Sequence, residues 1–276
     1  MEGFQFATIT APLMNNMEAK KARSKWLDDN QWNTISPNDG REPPLNMKYM
    51  VVGVDTMSKS IVEIAWKLYD ADGNCLESKQ YLLKPNSSDV ITPQAIGVHG
   101  ITTKVANDLG SDKDVVLDEF ITILRKVPND GFVVAHDMKV VDAIIVKSLN
   151  PEQQIVWNVA PKCDTYPLQL AEKYLPAQSK ASRRNELLKK RKGYQLSELH
   201  LLICGRQETN SLIDMLHITA VVRIAAVDAQ MIWGIFEYYK LYASDKELKW
   251  RKNQHGPLLS PGDQRRRKMM RLDHTV

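Results

Sequence analysis

The strongest constraint on how this chain folds is a succession of three apolar segments between residues 49 and 83. Tyr49-Met-Val-Val-Gly-Val-Asp55 is a short apolar run closed by an acid, Ile61–Tyr69 (IVEIAWKLY) is a second, and Cys75–Leu83 returns as a third. Runs of this length, rich in Val, Ile and aromatic residues, read as strands. Between the second and third stands Asp70-Ala-Asp-Gly-Asn74, which is turn chemistry, with Gly73 able to take a positive φ. The three strands therefore make an antiparallel meander.

Helices and strands alternate after it. Thr92 is placed to cap a short helix with Pro93 at its first position. Asp114–Val127 carries Val115, Val116, Phe120, Ile121 and Leu124 at helical spacing, and Gly131–Ala135 is a short apolar strand. A helix follows from about Met138 to Leu149, then a strand ending near Asp164 with a helix after it. A second helix is expected near Gln195–Cys204 and a long one from about Ser211 to Tyr242, with Gly234 its one weak point. A meander followed by helix–strand alternation predicts an α/β domain whose central sheet is mixed, three antiparallel strands then parallel ones, flanked by helices. That domain is expected over 47–243, after an N-terminal extension, 1–46, that is partly disordered, and before a basic C-terminal tail, 244–276.

The chain has 276 residues, 43% apolar and 25% charged, the balance of a soluble globular protein. No run approaches the roughly 18 apolar residues of a membrane span, and the N-terminus lacks the basic and apolar regions of a signal peptide. Cys75, Cys163 and Cys204 are too few and scattered for a disulfide framework or zinc cage. An intracellular location, nuclear or cytoplasmic, fits these features. The net charge of +4 is unevenly spread: Arg183, Arg184, Lys189, Lys190, Arg191 and Lys192 crowd one stretch, and Arg265, Arg266, Arg267, Lys268 and Arg271 another. Such blocks are candidates for phosphate contacts or for a nuclear-import signal; solvated loops are the plainer alternative.

Three positions are candidates for chemistry. Asp55 ends an apolar strand, at the sheet edge where open α/β folds bind ligands. Asp142 projects between Ile145, Val146 and Leu149 on its helix, and an acid on an apolar flank needs a cation or hydrogen bonds to offset desolvation. A metal ligand meets that description. His217 opens the long helix, and a lone histidine is more often structural than catalytic.

The order of these features, more than any one of them, resembles the DEDD (DnaQ-like, DEDDh) 3′–5′ exonuclease family of the RNase H-like superfamily. Val-Gly-Val-Asp55-Thr resembles the start of its first motif (Asp-x-Glu), Ile61-Val-Glu-Ile-Ala65 its second strand, and Ile91-Thr-Pro with Val98-His-Gly-Ile-Thr102 a further family segment. Val133-Val-Ala-His136 through Asp142 is similar to the second motif, Cys163-Asp-Thr165 to the following strand–helix junction, and Tyr194-Gln-Leu-Ser-Glu-Leu199 to the helix before the third motif (His-x4-Asp), where His217 falls. The resemblance covers about two thirds of the chain and implies an RNase H-like fold. It implies two Mg²⁺ or Mn²⁺ ions held by four carboxylates, with the histidine as general base toward the attacking water. By that correspondence Asp55 and Asp142 are metal ligands and catalytic positions, and His217 is the general-base position.

The departures bear on the same chemistry. Met57 stands where the second acid of the first motif belongs, and a thioether has little affinity for a hard cation. Val222 stands five residues after His217, where the last aspartate belongs. Asp142 follows His136 by six residues, one more than the commonest spacing, though some family members share it. Neither Asp228, Glu63 nor Asp214 is a convincing substitute. The reading is therefore an exonuclease-fold protein that binds single-stranded DNA or RNA, with metal binding weak or absent and catalysis impaired. The alternatives are an active, divergent metal-dependent 3′–5′ exonuclease and a protein-interaction scaffold.

Overall fold

The computed structural model describes residues 44, 46–57, 60–86, 89–166, 168–174 and 225–250, with Lys21 and the single positions Leu196, Leu199, His200 and Ile203. The meander is present as expected: β1 (Tyr49–Met57), β2 (Ser60–Tyr69) and β3 (Cys75–Leu82). The β2–β3 turn closes on Asp70, whose Oδ1 accepts the backbone N–H groups of Asp72 (3.0 Å) and Asn74 (2.9 Å), while Gly73 takes φ 94°. Next come α1 (Pro93–His99), α2 (Thr103–Leu109), α3 (Lys113–Leu124), β4 (Phe132–Ala135) and α4 (Met138–Ser148). They are followed by α5 (Pro151–Val159), β5 (Lys162–Asp164), α6 (Leu168–Tyr174), α7 (Ala225–Tyr242) and α8 (Asp245–Leu248). Thr92 caps α1 as its sequence predicts, accepting from Ala95 N at 3.2 Å ahead of Pro93. Three of the described helices, α2, α5 and α8, are not anticipated by the sequence pattern.

The five strands form one mixed sheet in the order β3-β2-β1-β4-β5, antiparallel within the meander and parallel from β1 to β4 to β5. Alternation along β1 sorts its side chains between two cores. Met50, Val52 and Val54 pack with Ile64, Trp66 and Leu68 under α3, α4 and α5, through Phe120, Val141, Ile145 and Trp157. Tyr49 and Val51 lie on the other face with Phe132 and Val134, covered by Ile232, Trp233, Phe236 and Tyr239 of α7 and by Leu199. A smaller cluster sits beneath α1 and α2. Packing continues past α8: Leu248 is buried in the α7-side core, and Trp250 N donates to Lys162 O on the β5 edge at 2.7 Å.

α7 runs antiparallel to β1. At one end Tyr49 packs on Trp233 and Phe236, with ring centroids 5.7 and 5.2 Å away. At the other, Gly53 meets Ala225. No described helix is long and apolar enough to cross a membrane.

Candidate active site

β1 outruns its parallel neighbour. Its last residue paired with β4 is Val51, opposite Val134, yet the strand continues to Met57 beside β2. The overhang carries Asp55 past the end of β4, into the crevice at the carboxyl ends of the parallel strands where α/β sheets place ligands. Asp55 is only 3% exposed and stands opposite Glu63 of β2, so both carboxylates share the α7 face. Glu63 is fully buried. Its Oε1 accepts from Gln80 Nε2 at 2.7 Å, and its Oε2 accepts from the backbone N–H of Ala225 at 3.1 Å. This carboxylate fastens one end of α7 to the strand beside Asp55.

Two residues beyond Asp55, where a second acid is expected, Met57 is 4% exposed and packs with Val62, Leu82, Ile91, Ile101 and Ala106. The β1–β2 register shifts between Asp55 and Thr56, and Met57 lies across from Ser60. The thioether is part of an apolar cluster that joins the sheet to α1 and α2.

The turn after β4 brings up His136 and Asp137, and that after β5 brings Asp164, Thr165 and Tyr166. His136 Nδ1 lies 3.0 Å from Thr165 Oγ1, and the Tyr166 ring meets the imidazole edge-on at 5.2 Å. Asp164 Oδ1 accepts from Tyr166 N at 2.9 Å and so shapes the turn. Asp137 enters α4 with φ 58°, among the described residues the one non-glycine in the left-handed region, where a short polar side chain is tolerated best. On β5, burial and then the Asp164 charge push the Cys163 thiol well up.

Asp142 is 6% exposed on the inner flank of α4. The cost of placing a carboxylate there is met from within the protein. Trp157 Nε1, from α5, donates to Asp142 Oδ1 at 2.8 Å. Over the same indole, 4.6 Å from its centroid, sits the ammonium of the buried Lys162, which also donates to the carbonyls of Trp157 and, at 3.4 Å, Ala160.

Asp55 thus reaches the sheet edge from the α7 face, and Asp142 belongs to the helix layer on the other face. Asp228 is buried on α7, and the antiparallel run of α7 on β1 sets it on the opposite side of the Gly53–Ala225 contact from Asp55. Asp55 lies about 7 Å beyond Gly53 along the strand, and Asp228 about 4.5 Å beyond Ala225 in the opposite direction. Among the described residues no group of three or more His, Cys, Asp or Glu side chains is arranged to hold a metal ion. His217, Val222 and the basic residues Arg183, Arg184, Lys189, Lys190, Arg191 and Lys192 lie outside the described residues. Sequence reasoning missed Trp157 and Lys162 as partners of the Asp142 site, and discounted Glu63, the acid that stands beside Asp55.

No family model matches the chain, and no curated protein matches it in sequence. Solved structures do match. Exonuclease I from Methylocaldum szegediense superposes with a TM-score of 0.52 at 14% identity, over 71% of this chain and 40% of that one. A zinc-bound complex of E. coli Exonuclease I with single-stranded DNA gives 0.52 at 14% identity over 71% and 41%. The same enzyme with a 5cy-dT13 oligonucleotide gives 0.51 at 13% identity, again over 71% and 41%. The chain spans about two fifths of the length of these exonucleases. At such identity the likeness is one of fold: a mixed sheet flanked by helices, as in these exonucleases.

Proposed function

We propose that this chain binds single-stranded nucleic acid on an exonuclease fold whose catalytic centre is impaired. The observation that carries the reading is the place of Met57. Two-metal phosphodiester hydrolysis needs several carboxylates to neutralise and fix both ions. At the second acidic position of the first motif the chain has a thioether, enclosed by Val62, Leu82, Ile91, Ile101 and Ala106. The loss of the last acid to Val222 points the same way. Asp55, Asp142 and His217 are then what remains of the site.

Binding to single strands is supported by two things. Structures of this fold include an exonuclease in complex with single-stranded DNA. The cluster Arg183, Arg184, Lys189, Lys190, Arg191 and Lys192 supplies the cationic charge that phosphate contact requires.

The test uses 3′-labelled single-stranded DNA and RNA. No Mg²⁺- or Mn²⁺-dependent shortening is expected, while binding persists and weakens with salt. Neutralising Lys189–Lys192 is expected to flatten the logarithmic salt slope by about 0.7 for each phosphate contact removed. Metal-dependent digestion lost in Asp142→Ala overturns the impaired-catalysis reading. Absence of both binding and digestion replaces it with a protein-interaction role.

A further inference from the structure

The acid that the family correspondence assigns to metal is already engaged. Asp142 is buried on α4, and the group facing its Oδ1 is the indole N–H of Trp157 at 2.8 Å. Trp157 is itself fully buried, in the core with Met50, Val52, Phe120 and Ile145. Its ring packs on Phe120 with centroids 6.0 Å apart. An indole N–H is a donor only, and when buried it usually finds an acceptor. Asp142 supplies it. On the ring face lies the Lys162 ammonium, 4.6 Å from the centroid, and a cation in that position polarises the ring and strengthens its N–H as a donor. The same ammonium donates to the carbonyls of Trp157 and Ala160 at the carboxyl end of α5, where a cation is favoured. Carboxylate, indole and ammonium therefore join α4, α5 and β5 in one buried arrangement.

We infer that Asp142 serves this chain as the structural anchor that holds α5 to α4 through the Trp157 indole, and no longer as a metal ligand. The inference rests on the impaired-catalysis reading and extends it: the acid survives in the sequence because the core uses it. A metal ligand at this position needs the negative charge. An anchor needs only an oxygen that accepts a hydrogen bond, and asparagine has one.

The experiment compares wild type, Asp142→Asn, Asp142→Ala and Trp157→Phe. Thermal unfolding is followed with and without MnCl₂, together with the exchange of the Trp157 indole N–H by NMR. Asp142→Asn is expected to lower the unfolding midpoint by about 3 °C or less and to keep the indole N–H protected. Asp142→Ala is expected to lower it by about 5–10 °C, the scale of an orphaned buried donor in a domain of this size. Should Asp142→Ala fail to fold, Trp157→Phe removes the same hydrogen bond from the other side and Asp142→Asn carries the comparison. Mn²⁺ is expected to shift none of the midpoints. The inference is overturned if Mn²⁺ stabilises wild type and Asp142→Asn abolishes that shift, or if Asp142→Asn destabilises as much as Asp142→Ala. Metal-dependent digestion by wild type overturns the functional reading as well, whereas Mn²⁺ binding without digestion overturns the anchor alone.

Discussion

Gly53 and Ala225 touch backbone to backbone: a Cβ on Gly53 would come within 2.2 Å of the Ala225 carbonyl oxygen. The contact sets the height of α7 on β1. A methyl group here has no flexible side chain to displace, because the obstacle is main chain. Gly53→Ala is expected to destabilise by about 1–3 kcal/mol, read by urea unfolding. An unchanged urea midpoint would mean that α7 does not sit on β1 at this point.

Glu63 holds the same end of the helix. Removing its carboxylate orphans the buried Ala225 N–H and takes the partner from the half-buried Gln80 amide. Glu63→Ala is expected to cost about 3 kcal/mol, and Glu63→Gln clearly less, since its one amide oxygen can still accept from Ala225 N while its NH2 donates to a Gln80 amide turned over to present its oxygen. The two variants are compared in the same urea titration. Equal losses in both would show that charge, and not hydrogen-bond acceptance, fixes α7.

The meander was legible because its signals are local. The three strand runs, the Asp70–Asn74 turn and the Thr92 cap each act within a few residues. Helix α5 was not legible. Its cap is present in sequence, Asn150 and Gln153 bonding reciprocally across Pro151, but its apolar period is broken. Ile155 and Val159 are 65% and 75% exposed, while the buried positions are Gln153 and Trp157, and Gln153 Nε2 donates across to the exposed Asp118 Oδ1 of α3 at 2.6 Å. The burial of Asp142 could be read from its apolar flank. Its compensation could not, because Trp157 and Lys162 come from the next two elements. Met57 was read as a lost ligand, but that it packs with Ile91, Ile101 and Ala106 is a tertiary fact no local pattern carries.

His200 gives a signature in pH. It is buried, its Nδ1 finds no hydrogen-bond partner among the described residues, and burial depresses the imidazole to about 4. Unfolded, it titrates near 6.5. Between those values the unfolded chain holds a proton that the folded one refuses, so stability rises with pH through this window. The contribution is complete above about pH 6.5 and lost on descent toward pH 4, on the order of 3 kcal/mol in all. Urea unfolding at pH 4.5, 5.5 and 7 should show the slope in wild type and a shallower one in His200→Leu. Identical slopes would assign the dependence to other groups.

Met57 carries the functional reading, and substitution tests it directly. If the side chain had merely been exchanged at an otherwise intact metal site, Met57→Glu would restore a ligand at little cost. The surroundings argue otherwise: a carboxylate there meets Val62, Leu82, Ile91, Ile101 and Ala106. Burying it against them is expected to cost about 3 kcal/mol or more, whereas Met57→Leu, nearly equal in volume, should stay within about 1.5 kcal/mol of wild type. Urea unfolding of both variants, each with and without MnCl₂, separates the cases. A Met57→Glu protein as stable as wild type, or one that Mn²⁺ returns to full stability, would mean that this position still reaches the ligand sphere beside Asp55. A protein destabilised alike in both conditions would mean that the apolar cluster under α1 and α2 has taken the position over, so that reverting one residue cannot rebuild the centre.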